Sequence, residues 1–178
     1  MPHRAPTKPT MFTIGHSNRP LEDFVRLLKA HGIKQILDVR AIPKSRHNPQ
    51  FARPQLASAL RARSIGYRWM KRLGGRRRAQ SDSPNLGWRN TQFRGYADYM
   101  ASADFANALE TAKAIAQAKP TAVMCAEAVP WRCHRSLIAD ALTTQKWEVR
   151  HIIGLGRARP HRATSFMRVK RGKIVYPE

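Results

Sequence analysis

Apolar positions along the chain alternate between short continuous runs and sets spaced as on one face of a helix. Met11 to Ile14 predicts a first strand, ending in Gly15-His16-Ser17. After Pro20, the residues Leu21, Phe24, Val25 and Leu28 fall at i, i+3, i+4 and i+7, an amphipathic helix that Gly32 stops. Residues 33–39 (IKQILDV) predict a second strand, Gln55 to Arg63 a short helix, and Tyr67 to Met70 a third strand. Lys71 to Arg94 has no period and predicts a long loop, and loops of that length are usually functional or mobile. Gly95 to Met100 and Ala103 to Ala118 read as helix, Thr121 to Cys125 as a fourth strand, Cys133 to Leu142 as helix and Glu148 to Ile153 as a fifth strand.

Strands alternating with helices predict a three-layer, Rossmann-like α/β domain. Its central sheet is expected to be mostly parallel and five-stranded, in the order 3-2-1-4-5. Residues 1–10 read as a basic flexible tail, 11–153 as the single domain, and 154–178 as a basic C-terminal extension with a hairpin around Arg171-Gly172. Such sheets bind ligands beyond the carboxyl ends of their strands.

At 178 residues and 42% hydrophobic content the chain can bury a core of its own. No stretch approaches the roughly 20 apolar residues of a membrane span, and the basic N-terminus lacks the apolar segment of a secretory signal. Two cysteines cannot staple a secreted scaffold, so a reducing compartment is expected. The reading is a soluble, cytoplasmic protein without a membrane partner.

Charge changes the picture of its partners. Lys and Arg number 33 against 11 Asp and Glu, a net charge of +22. Between Val39 and Ser81 there are twelve Lys/Arg and no carboxylate, and between Val149 and Pro177 eight more. Such blocks attract polyanions by counterion release, which points to nucleic acid or a phosphorylated small molecule as partner. A merely solvated basic face is the plainer alternative.

Three predicted strands end in titratable groups: His16 and Ser17; Asp38 and Arg40, followed by Lys44, Arg46 and His47; and Cys125 with Glu127. A single such group is commonly a hydrogen-bonded cap, but three sets at one sheet edge suggest a site. Cys133-His134-Arg135 opens the predicted helix, where free amides, the dipole and adjacent cations favour a thiolate and an anion site with Arg132. Cys125, in a strand, reads as structural. A phosphatase-type Cys-x5-Arg loop fails, because Trp131 stands where the arginine is required. Zinc on Cys125, Cys133 and a histidine is a lesser option: the spacing matches no common finger, and adjacent Cys133 and His134 would point apart on a helix. A redox pair of the two cysteines needs the loop between them to fold back. Leu73-Gly74-Gly75 with Arg76, Arg77 and Arg78 could wrap a phosphate, and Trp88 with Phe93-Arg94 could stack on bases.

These motifs together resemble the domain-of-unknown-function-488 family. The resemblance rests on Ile14 to Asn18, Asp38-Val39-Arg40, residues 43–51 (PKSRHNPQF), Leu73-Gly74-Gly75, residues 93–100 (FRGYADYM) and residues 124–135 (MCAEAVPWRCHR), and it spans about residues 11–153. It implies one α/β domain and emphasises the same strand ends, but brings no reaction, substrate or cofactor. From the residues, the first expectation is an enzyme on nucleic acid or another phosphorylated substrate. Cys133, His134, Glu127, His16 and Asp38 would be its catalytic group, and Ser17, Arg40, Arg46, Arg76, Arg94 and Arg135 would hold the substrate. The second is a non-catalytic RNA- or DNA-binding module working through the basic loop and tail.

Overall fold

The computed structural model describes residues 7–178. In chain order it runs β1 (Thr10–Gly15), α1 (Leu21–Ala30), β2 (Gln35–Asp38), α2 (Arg53–Arg61), β3 (Gly66–Trp69), α3 (Thr91–Tyr99), α4 (Ala103–Ala118), β4 (Thr121–Cys125), α5 (Arg135–Thr144) and β5 (Glu148–Ile152). Three short strands close the chain: β6 (Arg159–Pro160), β7 (Arg168–Lys170) and β8 (Lys173–Val175). The expected tail at residues 1–10 lies largely outside the described residues.

The fold is the expected mixed α/β one, with a mostly parallel central sheet between helices. Its strand order corrects the expectation: β3-β2-β4-β1-β5-β6, with β4 inserted between β2 and β1 and with β6 added antiparallel to β5. The reason lies in the strands themselves. Both β1 and β4 read as apolar runs, and such runs mark central strands without ranking them. β4 is buried along its whole length, and the centre of a two-sided sheet requires that. The adjacency of β1 and β4 is kept, with Gly15 opposite Cys125, while β4 also pairs Asp38 with Met124.

Alternation along each strand feeds two cores. On β4, Ala122 and Met124 face a cluster with Phe24, Val25, Leu28, Leu56 and Leu60 of α1 and α2. Val123 and Cys125 face the other layer, among Leu109, Leu137 and Ile138 of α4 and α5. α3 starts at Thr91, ahead of the predicted Gly95, because the Asn90 side chain caps it by accepting from the N–H groups of Gln92 and Phe93.

The C-terminal residues lie on the domain. Strands β7 and β8 pair around Arg171 (φ 49°) and Gly172 (φ 75°), the left-handed pair a tight hairpin turn needs. Beyond them Tyr176 is fully buried, and its hydroxyl donates to Asp140 at 2.9 Å. The long loop before α3 is anchored at Asp98, which accepts from Ser83 and Asn85. Among the described residues no helix is long and apolar enough to cross a membrane.

Candidate functional site: a sulfur and imidazole centre in a basic cleft

Pairing between β1 and β4 continues past both strands: the His16 N–H donates to the Cys125 carbonyl at 3.0 Å and the Ser17 N–H to that of Ala126 at 2.8 Å. This requires glycine at position 15, since a Cβ there would stand 1.7 Å from the Glu127 carbonyl oxygen. The strand ends thereby bound a cleft of about 430 Å³ whose lining includes His16, Arg40, Glu127, Arg132, Cys133 and His134. Lys44, Arg76 and Cys125 line it as well. Three strand ends and the start of α5 thus converge as the sequence suggested.

At the base of the cleft lie Cys125, Cys133 and His134, all buried, with one sulfur or ring nitrogen from each within 4.8 Å of the others. Cys133 is not the first residue of a helix, as expected, but follows a 3-10 turn (Pro130–Arg132) in extended conformation, with φ −145° and ψ 149°. This turns Cys133 and His134 toward one point rather than apart. Cys133 Sγ lies 3.6 Å from His134 Nδ1. The Nε2–H of that ring donates to the Val39 carbonyl at 3.0 Å, which leaves Nδ1 to face the sulfur. The ring packs between Tyr96, centroids 4.9 Å apart, and the main chain of Gly75, where a Cβ would stand 2.5 Å from Nδ1. Gly75 therefore serves close packing on His134.

The helix start also differs from expectation in its amides. The Arg135 N–H donates to Cys133 Sγ at 3.5 Å, and those of Ser136 and Leu137 donate to the Cys133 and His134 carbonyls. No free row of amides waits there for a phosphate; the sulfur itself caps the helix. The Cys125 thiol donates to Cys133, and with His134 and the Arg135 guanidinium it lowers the Cys133 pKa well below its ordinary value despite burial. The same sulfur contact, reinforced by burial, raises that of Cys125.

Arg135 stands behind this centre, fully buried, with no carboxylate partner among the described residues. Its Nη1 donates to Thr13 Oγ1 at 3.2 Å and its Nη2 to the Glu127 carbonyl, while Nε has no partner. From Thr13 a chain of bonds leads away from the cleft: to His151 Nδ1 at 2.7 Å, on to His161 at 3.0 Å, and from His161 to Asp140 at 2.8 Å.

On the other wall, Asp38 grips Arg40 with both oxygens, accepting from Nη2 at 2.6 Å and Nε at 2.9 and 3.2 Å. Tyr67 also donates to Asp38, at 2.6 Å. Arg40 Nη1 in turn donates to the Phe51 carbonyl at 2.8 Å and to His16 Nε2 at 3.3 Å. His16 donates from Nδ1 to the Ser17 carbonyl and stacks on Phe51. Burial lowers its pKa to about 4, so the ring is neutral at pH 7. Asp38 thus positions Arg40 and, through it, His16.

Four predicted substrate-binding residues do not line the cleft. Ser17 takes a left-handed backbone at φ 52°, Arg46 is exposed on the loop, Arg94 donates to the Trp88 carbonyl at 3.1 Å, and Arg135 is fully buried behind the centre. Phe51, Tyr67 and the Val39 carbonyl are contributors that sequence reasoning missed. Phe51 lay within a motif block, but nothing local announced its stacking on His16.

The family model described as Domain of unknown function DUF488 matches residues 20–142. The chain belongs to this family. The DUF488 match takes in β2, β4 and the start of α5, and so most of the cleft, while β1 with His16 precedes it. No curated protein and no solved structure matches the chain.

Proposed function

We propose that the protein is a hydrolase of phosphate-bearing substrates, nucleic acid foremost, working in the strand-end cleft. One observation carries this reading. Glu127 is an exposed carboxylate without an ion-pair partner among the described residues, in a cleft otherwise lined by Arg40, Lys44, Arg76 and Arg132. A purely structural acid in so basic a setting would be drawn into a salt bridge. The cations neutralise the substrate phosphate and the charge that grows on it in the transition state. Glu127 takes a proton from a water molecule, the resulting hydroxide attacks phosphorus, and the P–O ester bond breaks. The departing oxygen then receives the proton from Glu127. Cys133 and His134 form the floor against which the reacting group sits. The reduced thiols suit a cytoplasmic setting.

The test is hydrolysis of single-stranded and duplex oligonucleotides and of simple phosphate esters by the wild type and Glu127→Gln. Loss of a general base predicts a fall in rate of about 10²–10⁴-fold with binding retained. The second reading, a non-catalytic RNA- or DNA-binding module, draws on the hairpin β7–β8, which exposes Arg168, Lys170 and Lys173. Salt-sensitive oligonucleotide binding with no turnover of any ester would favour it and remove the hydrolase.

A further inference from the structure

We propose that Cys125, Cys133 and His134 are the protein ligands of a divalent transition metal, zinc by donor type, whose fourth position opens into the cleft. This goes beyond the hydrolase reading and does not depend on it. The first support is geometric. Two ligands at about 2.3 Å (sulfur) and 2.0–2.1 Å (nitrogen) from a tetrahedral zinc stand roughly 3.6 Å apart. Cys133 Sγ and His134 Nδ1 are 3.6 Å apart. All three donors fall within 4.8 Å of one another, and closing the widest pair to the roughly 3.6–3.8 Å of a tetrahedral zinc takes side-chain movement of about 1 Å.

The second support is the setting of the imidazole. Metal-bound histidines hold their other N–H on a carbonyl or carboxylate, which fixes ring and tautomer. His134 does this through Nε2 to Val39, with Tyr96 and Gly75 clamping the ring. The third is charge. A zinc ion with two thiolates and a hydroxide carries one negative charge, and the fully buried Arg135 supplies a positive one that no carboxylate answers among the described residues.

Three protein ligands and one open position are the arrangement of a catalytic rather than a structural zinc. Glu127 follows the ligand Cys125 by two residues and lines the same cleft. A water in the open position would have its pKa lowered toward about 7 and would lose its proton to Glu127. In that state Cys133 is a ligand and does not itself attack the substrate.

The experiment uses the full chain, purified with reductant, stripped by a chelator and titrated with cobalt(II) and then zinc. One equivalent of cobalt should give thiolate charge-transfer absorption and the intense visible bands of tetrahedral coordination, and zinc should abolish both. Cys125→Ser and Cys133→Ser should each weaken binding by at least about 100-fold, more than loss of a second-shell partner does. Because either variant could fail to fold, X-ray absorption of the zinc-loaded wild type provides a variant-free readout. Two sulfurs at about 2.3 Å with one or two light atoms at about 2.0–2.1 Å support the assignment. No cobalt spectrum, a light-atom shell only, or a Cys125–Cys133 disulfide that reforms after reduction with zinc present would overturn it. Metal bound in this shell with no ester hydrolysis would leave the metal assignment standing and defeat the hydrolase.

Discussion

Acidification should destabilise this protein through His151, and the size of the effect follows from its surroundings. The ring is 6% exposed, between Thr13 of β1 and His161 beyond β6, with Arg135 of α5 nearby and Asp140 reached through His161. Burial first, then His161 and Arg135, lowers its pKa from 6.5 to about 3. Since the folded value lies below the unfolded one, the unfolded chain takes up a proton that the native chain refuses. The stabilisation is therefore complete above pH 6.5 and is lost as pH falls toward 3. Each pH unit within that window costs about 1.4 kcal/mol. At pH 4.5 the loss is roughly 2.7 kcal/mol, a large part of the ~5–15 kcal/mol by which domains are stable. Urea unfolding followed by tryptophan fluorescence from pH 8 to 4.5 measures it. His151→Gln keeps a donor and an acceptor between Thr13 and His161 but cannot titrate. Its stability should be lower at pH 8 yet fall less steeply, by about 1.4 kcal/mol per unit between pH 6 and 4.5. All other titrating groups are common to both proteins. Parallel profiles would refute the reasoning.

Two further outcomes are expected. Asp38→Asn leaves the buried Arg40 charge unanswered and should cost about 3–5 kcal/mol in urea unfolding, whereas Asp38→Leu combined with Arg40→Met should cost less than the single change; equal losses would show that the pair is not coupled. Gly75→Ala places a methyl 2.5 Å from His134 Nδ1, and forcing the ring aside should cost about 1–3 kcal/mol and weaken cobalt absorption, while an unchanged cobalt spectrum would show that the ring does not bind the ion.

Much of the fold was written in local pattern. Phe24, Val25 and Leu28 lie on the buried face of α1, as their spacing required, and Arg171-Gly172 forms the hairpin turn. The convergence of His16, Arg40, Cys125 and Glu127 on one cleft followed from a rule about where parallel strands end. The start of α3 was misjudged because Asn90 outside the apolar pattern sets it, by capping two amides. The centre itself was obscured by assuming that helix geometry begins at Cys133. An extended residue there reverses the directions of two adjacent side chains.

The sequence by itself determined most of the elements, the mostly parallel α/β class, the basic character and the residues carried at the strand ends, because all of these depend on periodicity, composition and near neighbours. Only the tertiary structure decided that β4 lies between β2 and β1, that Arg135 is buried without a carboxylate, and that two sulfurs and an imidazole share one point. Those outcomes depend on which buried faces fit together across the sheet, and the positions that settle them are distant in the chain.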